Sequence, residues 1–296
     1  MLFARDRMTG VDPGFAGRVT ENQHRAIGLV LVSAAVAGLV LGLLGLLAGG
    51  PIMALVVAAL AFAAVPALAW WGSEPLARRL LGAQAADPAA HARLFNLVEG
   101  LCANAGVPQP ELYVVADPGL NALTMGRSPR QATLVVTSGL LQQLSRIELE
   151  AVLAHELSHV KSDDIVTATL AVALFGVLNG PARAAAGGGT GAIAGYLLLP
   201  FSALAGIGLR FSVGPQREER ADSCGVSLTR YPPALVSALE KLQGSGTTVR
   251  SASPATAHLW LGAAVPSPPM THLSWLSRLF DTHPPLDERI EALREL

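Results

Sequence analysis

Two stretches of this chain, 26–73 and 184–209, contain no charged residue. Residues 26–49 are apolar but for Ser33, and crossing a bilayer takes about 20 such residues in a helix. Gly49-Gly50-Pro51 interrupts the run, and 52–71 forms a second span with Trp70 and Trp71 at its end. Indole rings favour the membrane–water interface. Arg18 and Arg25 precede the pair, and Arg78 and Arg79 follow it. Positive charge is retained on the cytoplasmic side, so the pattern predicts a hairpin with both ends there. Weaker apolar runs at 165–179 and 192–211, with Pro200 inside the latter, predict a second pair. Their lengths suit either membrane crossing or burial as two core helices.

Elsewhere the polar pattern is that of a folded domain. Asp87-Pro88 opens an amphipathic helix with Leu94, Leu97, Val98 and Leu101 on one face, closed by Gly106-Val107-Pro108. Residues 111–115 and 132–137 are rich in β-branched residues and read as strands. Between them, 121–126 reads as a strand at the edge of a small sheet, followed by a turn at Arg127-Ser128-Pro129-Arg130. Ser138-Gly139-Leu140-Leu141 leads into a helix over 147–161. Ser145 and Glu148 form its capping box, and Leu149, Val152, Leu153 and Val160 its apolar stripe. Arg146, Glu148, Glu150 and Lys161 place this helix in water and not in lipid. Another helix starts at Gly214-Pro215 and stops at Tyr231-Pro232-Pro233, which begins an amphipathic helix to 243. A Gly/Ser/Thr loop at 244–254, a short strand at 257–261 and a charged helix at 286–296 complete the pattern. The expected fold is α+β, a mainly helical integral membrane protein with a small β-sheet. It divides into a cytoplasmic tail (1–25), a transmembrane hairpin (26–73), a first domain part (74–164), the second apolar pair (165–211) and a second domain part (212–296).

Composition and charge sharpen this picture at four points. Charged residues make up 15% of the chain, against about 25% in soluble domains. A net charge of −1 gives no electrostatic reason for a nucleic-acid partner. Cys102 and Cys224 are far apart, without a C-x-x-C, and so predict neither a disulfide framework nor a thiolate zinc site. The first 25 residues are polar, and the apolar run behind them is too long for a signal-peptide core, so it predicts a permanent anchor.

The chemistry centres on His155-Glu156-Leu157-Ser158-His159. Helix positions four apart stand one above the other, with Cβ atoms about 5–6 Å apart. Two imidazoles so placed reach one Zn²⁺, and Glu156 sits beside the metal, placed to take a proton from an activated water. Further on, Glu218 and Asp222 share a helix face, with Glu219 as a competing carboxylate.

These motifs, in this order, resemble the HtpX family of membrane-bound zinc metalloproteases, relatives of the CAAX prenyl proteases. The resemblance rests on Asn121-Ala122-Leu123, Ser138 to Leu141, His155 to His159 with Asp164 behind it, and Glu218-x-x-Ala221-Asp222. It continues through Ala257-His258-Leu259 and Thr282-His283-Pro284 and covers nearly the whole chain. The family usually has an aromatic residue where this chain has Glu219. The resemblance implies a gluzincin-like domain with one Zn²⁺ held by His155, His159 and Glu218. It implies Glu156 as general base and Asp222 as hydrogen-bond partner of a ligand imidazole. Asn121, Ala122, Leu123 and Thr124 would hold an extended substrate by strand addition. His283 would donate a hydrogen bond to the oxyanion, or else cap the last helix. The implied activity is that of a zinc metalloendopeptidase at the inner membrane, its site facing the cytoplasm and its substrates polypeptides, chiefly misfolded or surplus membrane proteins. Alternatives are an inactive zinc scaffold in the lipid bilayer, a prenyl-protease-like processing enzyme, and an intramembrane protease, against which the charged motif helix argues.

Overall fold

The computed structural model describes residues 13–176, 208, 213, 216–245, 248–250, 252, 255–262 and 283–296. A long helical stretch, α1 (Pro13–Leu81), breaks at Gly49 and Gly50, where Gly50 takes φ 76°. The two arms fold back on each other. A Cβ at Gly42 would stand 3.1 Å from the Ala58 Cβ, and one at Gly45 3.0 Å from the Met53 carbonyl oxygen. The expected break between two apolar helices is therefore present. The second arm, however, continues past Trp71 through Glu74 and Arg78 to Leu81. Those polar residues engage the sheet: Thr133 donates to Glu74 (3.1 Å) and Arg78 to the Tyr113 hydroxyl (2.7 Å).

Four strands follow: β1 (Gln84–Ala85), β2 (Glu111–Val115), β3 (Ala122–Gly126) and β4 (Ala132–Thr137). They lie in the order β1-β2-β4-β3, with β2 parallel to β4 and the other pairs antiparallel. β1 has only two residues, both exposed, and gives no alternating signal in the sequence. Alternation sorts the strand side chains between two cores. Ala122, Leu134 and Val136 face α2 (Ala92–Ala105) and the motif helix, whereas Leu123, Met125 and Val135 pack with Ala168, Leu259 and Trp260. α2 starts four residues beyond Pro88, because Asp87 first closes a turn by accepting from the Ala89 and His91 amides.

The 138–141 segment forms a helix of its own, α3 (Ser138–Gln143), capped by the Thr137 hydroxyl. The motif helix is α4 (Arg146–Ser162), with the capping box of Ser145 and Glu148 in place. Ser237 and Lys241 bind the Glu148 carboxylate at 2.6 and 2.7 Å and, against the opposing effect of burial, hold it down at about 2. The expectation that α4 lies in water is not met. Every residue from Leu149 to Val160 except Glu150 is buried, because α2, β3 and two later helices surround it.

Asp163, in the left-handed conformation, ends α4, and α5 (Ile165–Ala171) runs on, wholly buried against α1 and β3. This is the start of the second apolar pair; residues 177–207, most of that pair, lie outside the described residues. α1 also grips the end of α4. Asn22 donates to the Ser162 carbonyl and Gln23 to the Asp163 carboxylate, each at 3.0 Å.

Among the described residues, the remaining helices are α6 (Gln216–Thr229), α7 (Pro232–Gly244) and α8 (Leu286–Arg294). α6 packs closely on α4. A Cβ at Gly225 would lie 2.9 Å from the His155 amide nitrogen and 3.0 Å from its Cα. The expected strand at 257–261 is instead a 3-10 turn, Ala257–Leu259, followed by a single bridge from Trp260 to Leu123. The reason is His258, whose buried Nε2 meets the Ala168 carbonyl (2.9 Å) and turns the backbone inward.

Candidate active site

Helix spacing places His155 above His159 on α4, ring centroids 5.0 Å apart and planes nearly perpendicular. Their Nε2 atoms approach to 3.3 Å. Across from them α6 brings Glu218, its carboxylate oxygens 3.5 Å from His155 Nε2 and 3.8 Å from His159 Nε2. One donor atom from each of the three lies within 4.8 Å of the others, and all three residues are buried. Glu219 is exposed on the other side of α6.

Both imidazoles are oriented from behind. His155 Nδ1 meets Asp222 at 2.8 Å, and His159 Nδ1 meets Asp164 at 3.1 Å. Such partners fix the tautomer that leaves Nε2 free for a metal. Asp222 in turn takes two hydrogen bonds from Arg289, at 2.8 and 2.7 Å. Arg289 also donates to the Leu261 carbonyl and stands 3.4 Å from Glu218. On the other flank Arg217 donates to Asp164 at 3.2 Å. Burial alone would raise both aspartate carboxyls; Arg289 beside Asp222, and His159 with Arg217 beside Asp164, hold them below the usual range. Burial works against a charged His155, but Asp222 and Glu218 push it up to about 9.

The donor set suits a divalent cation. With both imidazoles neutral, as metal ligands are, four carboxylates (Glu156, Asp164, Glu218, Asp222) face two guanidinium groups (Arg217, Arg289), all mostly buried, leaving two negative charges. One divalent ion cancels that charge. Glu218 Oε2 is buried and makes no hydrogen bond among the described residues, as expected of an oxygen reserved for a metal. Burial opposes ionisation of Glu218, yet His283, His155 and Arg289 hold its carboxyl well below the usual range. Two imidazoles and one carboxylate form a donor set suited to catalytic zinc.

His283 sits 3.7 Å from Glu218, and neither of its buried ring nitrogens has a hydrogen-bond partner among the described residues. Its ring faces the site and is not used as a cap for α8. His24 is exposed and His91 bonds the Asp87 carbonyl, while His272 lies outside the described residues.

β3 lies at the border of the sheet, as expected, but its border is not free. Ala122 accepts from the Leu261 amide (2.9 Å), Leu123 bridges Trp260, and the Asn121 side chain bonds both the N–H and the C=O of Gly262. Strand addition along 121–124 therefore requires that segment to give way. Thr124 points its side chain the other way, onto Glu156.

Reading the sequence alone missed Arg217 and Arg289 as parts of the site, and it placed Asp164 in the motif without giving it a role. Arg217 lies in sequence beside Gln216 and Arg220, a polar run that reads as a solvated face, yet its side chain is only 9% exposed and points at Asp164. For Arg289 a signal was available: it interrupts the apolar stripe of Leu286, Ile290 and Leu293 on α8, where a solvated charge has no place.

Comparison with known proteins agrees with this architecture. Residues 88–296 match Peptidase family M48. A protein named Protease HtpX homolog from Tropheryma whipplei (strain Twist) is 39% identical over 236 residues, covering 76% of this chain and 79% of its own. One of the same name from Caldanaerobacter subterraneus subsp. tengcongensis is 34% identical over 247 residues, covering 77% and 80%. The crystal structure of S. mikatae Ste24p superposes with a TM-score of 0.50 at 19% identity, covering 94% of this chain and 67% of that one, a likeness of fold alone. With a family match that spans β2 to β4, the motif helix and α8, and with relatives this similar over most of its length, the chain belongs to peptidase family M48.

Proposed function

We propose that this protein is a membrane-anchored zinc endopeptidase, with His155, His159 and Glu218 holding one Zn²⁺ and Glu156 as general base. The observation that carries the reading is the convergence of those three donors beside a buried Glu156. A bound zinc ion supplies Lewis acidity, polarising the peptide carbonyl and acidifying water. The chain's own groups supply the rest. Glu156 accepts a proton from the attacking water and passes it to the leaving amine. Asp222 and Asp164 hold the two imidazoles with Nε2 turned to the cation. His283 stands where it can donate a hydrogen bond to the carbonyl oxygen as that atom gains charge. A scaffold without activity has no use for this arrangement, and the names of the relatives speak against it. Removing the metal with a chelator is expected to abolish cleavage of an unfolded membrane protein, and Zn²⁺ to restore it. Cleavage that survives complete metal removal refutes the proposal.

The anchor directs the enzyme to polypeptides at the bilayer, with misfolded or surplus membrane proteins as the substrate class. α1 is long and apolar enough to cross a membrane, and Leu39, Leu47, Ile52, Leu55 and Leu68 are each at least 66% exposed. Contiguous apolar surface of that extent calls for lipid. With arginines at both outer ends, reporters fused near Gln84 and after Leu296 are expected to read cytoplasmic. An extracytoplasmic signal at either place overturns the hairpin.

A further inference from the structure

Thr124 donates a 2.7 Å hydrogen bond from Oγ1 to Glu156 Oε2. Both residues are buried, at 0% and 1% exposure. Among the described residues this is the hydrogen bond that the Glu156 side chain makes. Packing alone does not ask for a hydroxyl here. Thr124 lies on the β3 face that also carries Ala122, a member of the apolar core that α4 shares, and a valine of the same shape would fill the same space. A buried hydroxyl is costly unless partnered, and its partner is the group proposed to move the proton.

We propose that Thr124 is a positioning residue for the general base, a role for its side chain distinct from any main-chain pairing with substrate. It rests on the reading of Glu156 as that base. A carboxylate on an ethylene stem rotates freely about its last torsion, and one oxygen must face the water. A hydroxyl has a single proton to give. By giving it to Oε2, Thr124 fixes the plane of the carboxylate and leaves Oε1 to receive the proton from the water. The strand is a suitable mount, because β3 is bonded along its length to β4 and closed on its other side by Trp260 and by Thr169, which accepts from the Gly126 amide.

Kinetics on Thr124→Val, with peptide as substrate, tests this. The variant is expected to keep its zinc and its melting temperature and to lose about 10²-fold in kcat, the scale for misplacing a catalytic group by roughly 1 Å. KM should change less than twofold, since no substrate contact is removed. Thr124→Ser keeps the hydroxyl and should restore most of kcat; Thr124→Ala, which differs from Ser by the hydroxyl alone, should not. The Ser and Ala pair decides the matter even where Val disturbs packing. Equal activity of Ser and Ala, or a Val variant within threefold of wild type, overturns the proposal. Glu156→Gln tells its failure apart from that of the parent reading: an active Gln variant removes the base itself, whereas an inactive one beside an active Val variant removes only the positioning.

Discussion

Glu156→Gln retains one zinc per chain and loses proteolysis, a fall in kcat of about 10²–10⁴-fold, the usual contribution of a general base. The amide has the size and shape of the carboxylate, and its oxygen still accepts from Thr124, so the buried site loses no packing. It has no oxygen able to take a full proton, and its nitrogen only donates. Glu156 is not among the three converging donors, so metal affinity should stay near wild type. Zinc stoichiometry on the purified protein, read beside cleavage of an unfolded membrane protein, checks both halves. Normal turnover by the Gln variant would end the assignment, and loss of its metal would make Glu156 a ligand instead of a base.

The second large effect separates two neighbouring acids. Glu218 and Glu219 stand about 100° apart on a helix of 3.6 residues per turn. Glu218 is 2% exposed and faces both imidazoles, while Glu219 is exposed to solvent. Glu218→Ala should lose its zinc and all activity, because two imidazoles are too few ligands. Arg289 keeps its two hydrogen bonds to Asp222 in that variant, so its buried charge stays paired. Glu219→Ala should change stability by no more than about 0.5 kcal/mol, as surface changes do, and keep both metal and activity. Metal analysis and denaturant unfolding of the two proteins give the answer. Loss of metal in the Glu219 variant alone would refute the choice.

Much of this site was legible in the residue order, and the part that was not has a physical cause. His155, Glu156 and His159 are read from helix periodicity, which is local. Glu218 and Asp222 follow from their shared helix face together with the family resemblance. The strands at 111–115 and 132–137 came out at the bounds the sequence predicts, since their β-branched residues lie between turn signals. Long-range pairing carries no such local mark. Arg289 and Asp222 are 67 positions apart, as are Asp222 and His155. Each looks like an ordinary surface charge until the helices meet. The same limit explains the motif helix, whose charged residues at its two ends suggested water although its middle is enclosed on every side. It also explains Trp260, which reaches the border of β3 across 137 residues to meet Leu123.

Gly225 acts as a gauge. A side chain there would collide with the backbone of His155, one of the residues whose spacing from Glu218 matters most. Where two helices meet through side chains, their separation varies as rotamers change, on picosecond to nanosecond scales. Here nothing lies between the two main chains that can turn, so the separation of the donors is set by hard contact. The tolerance at that point is less than one methyl group. A site gauged in this way keeps its bite between α4 and α6 constant while substrates come and go.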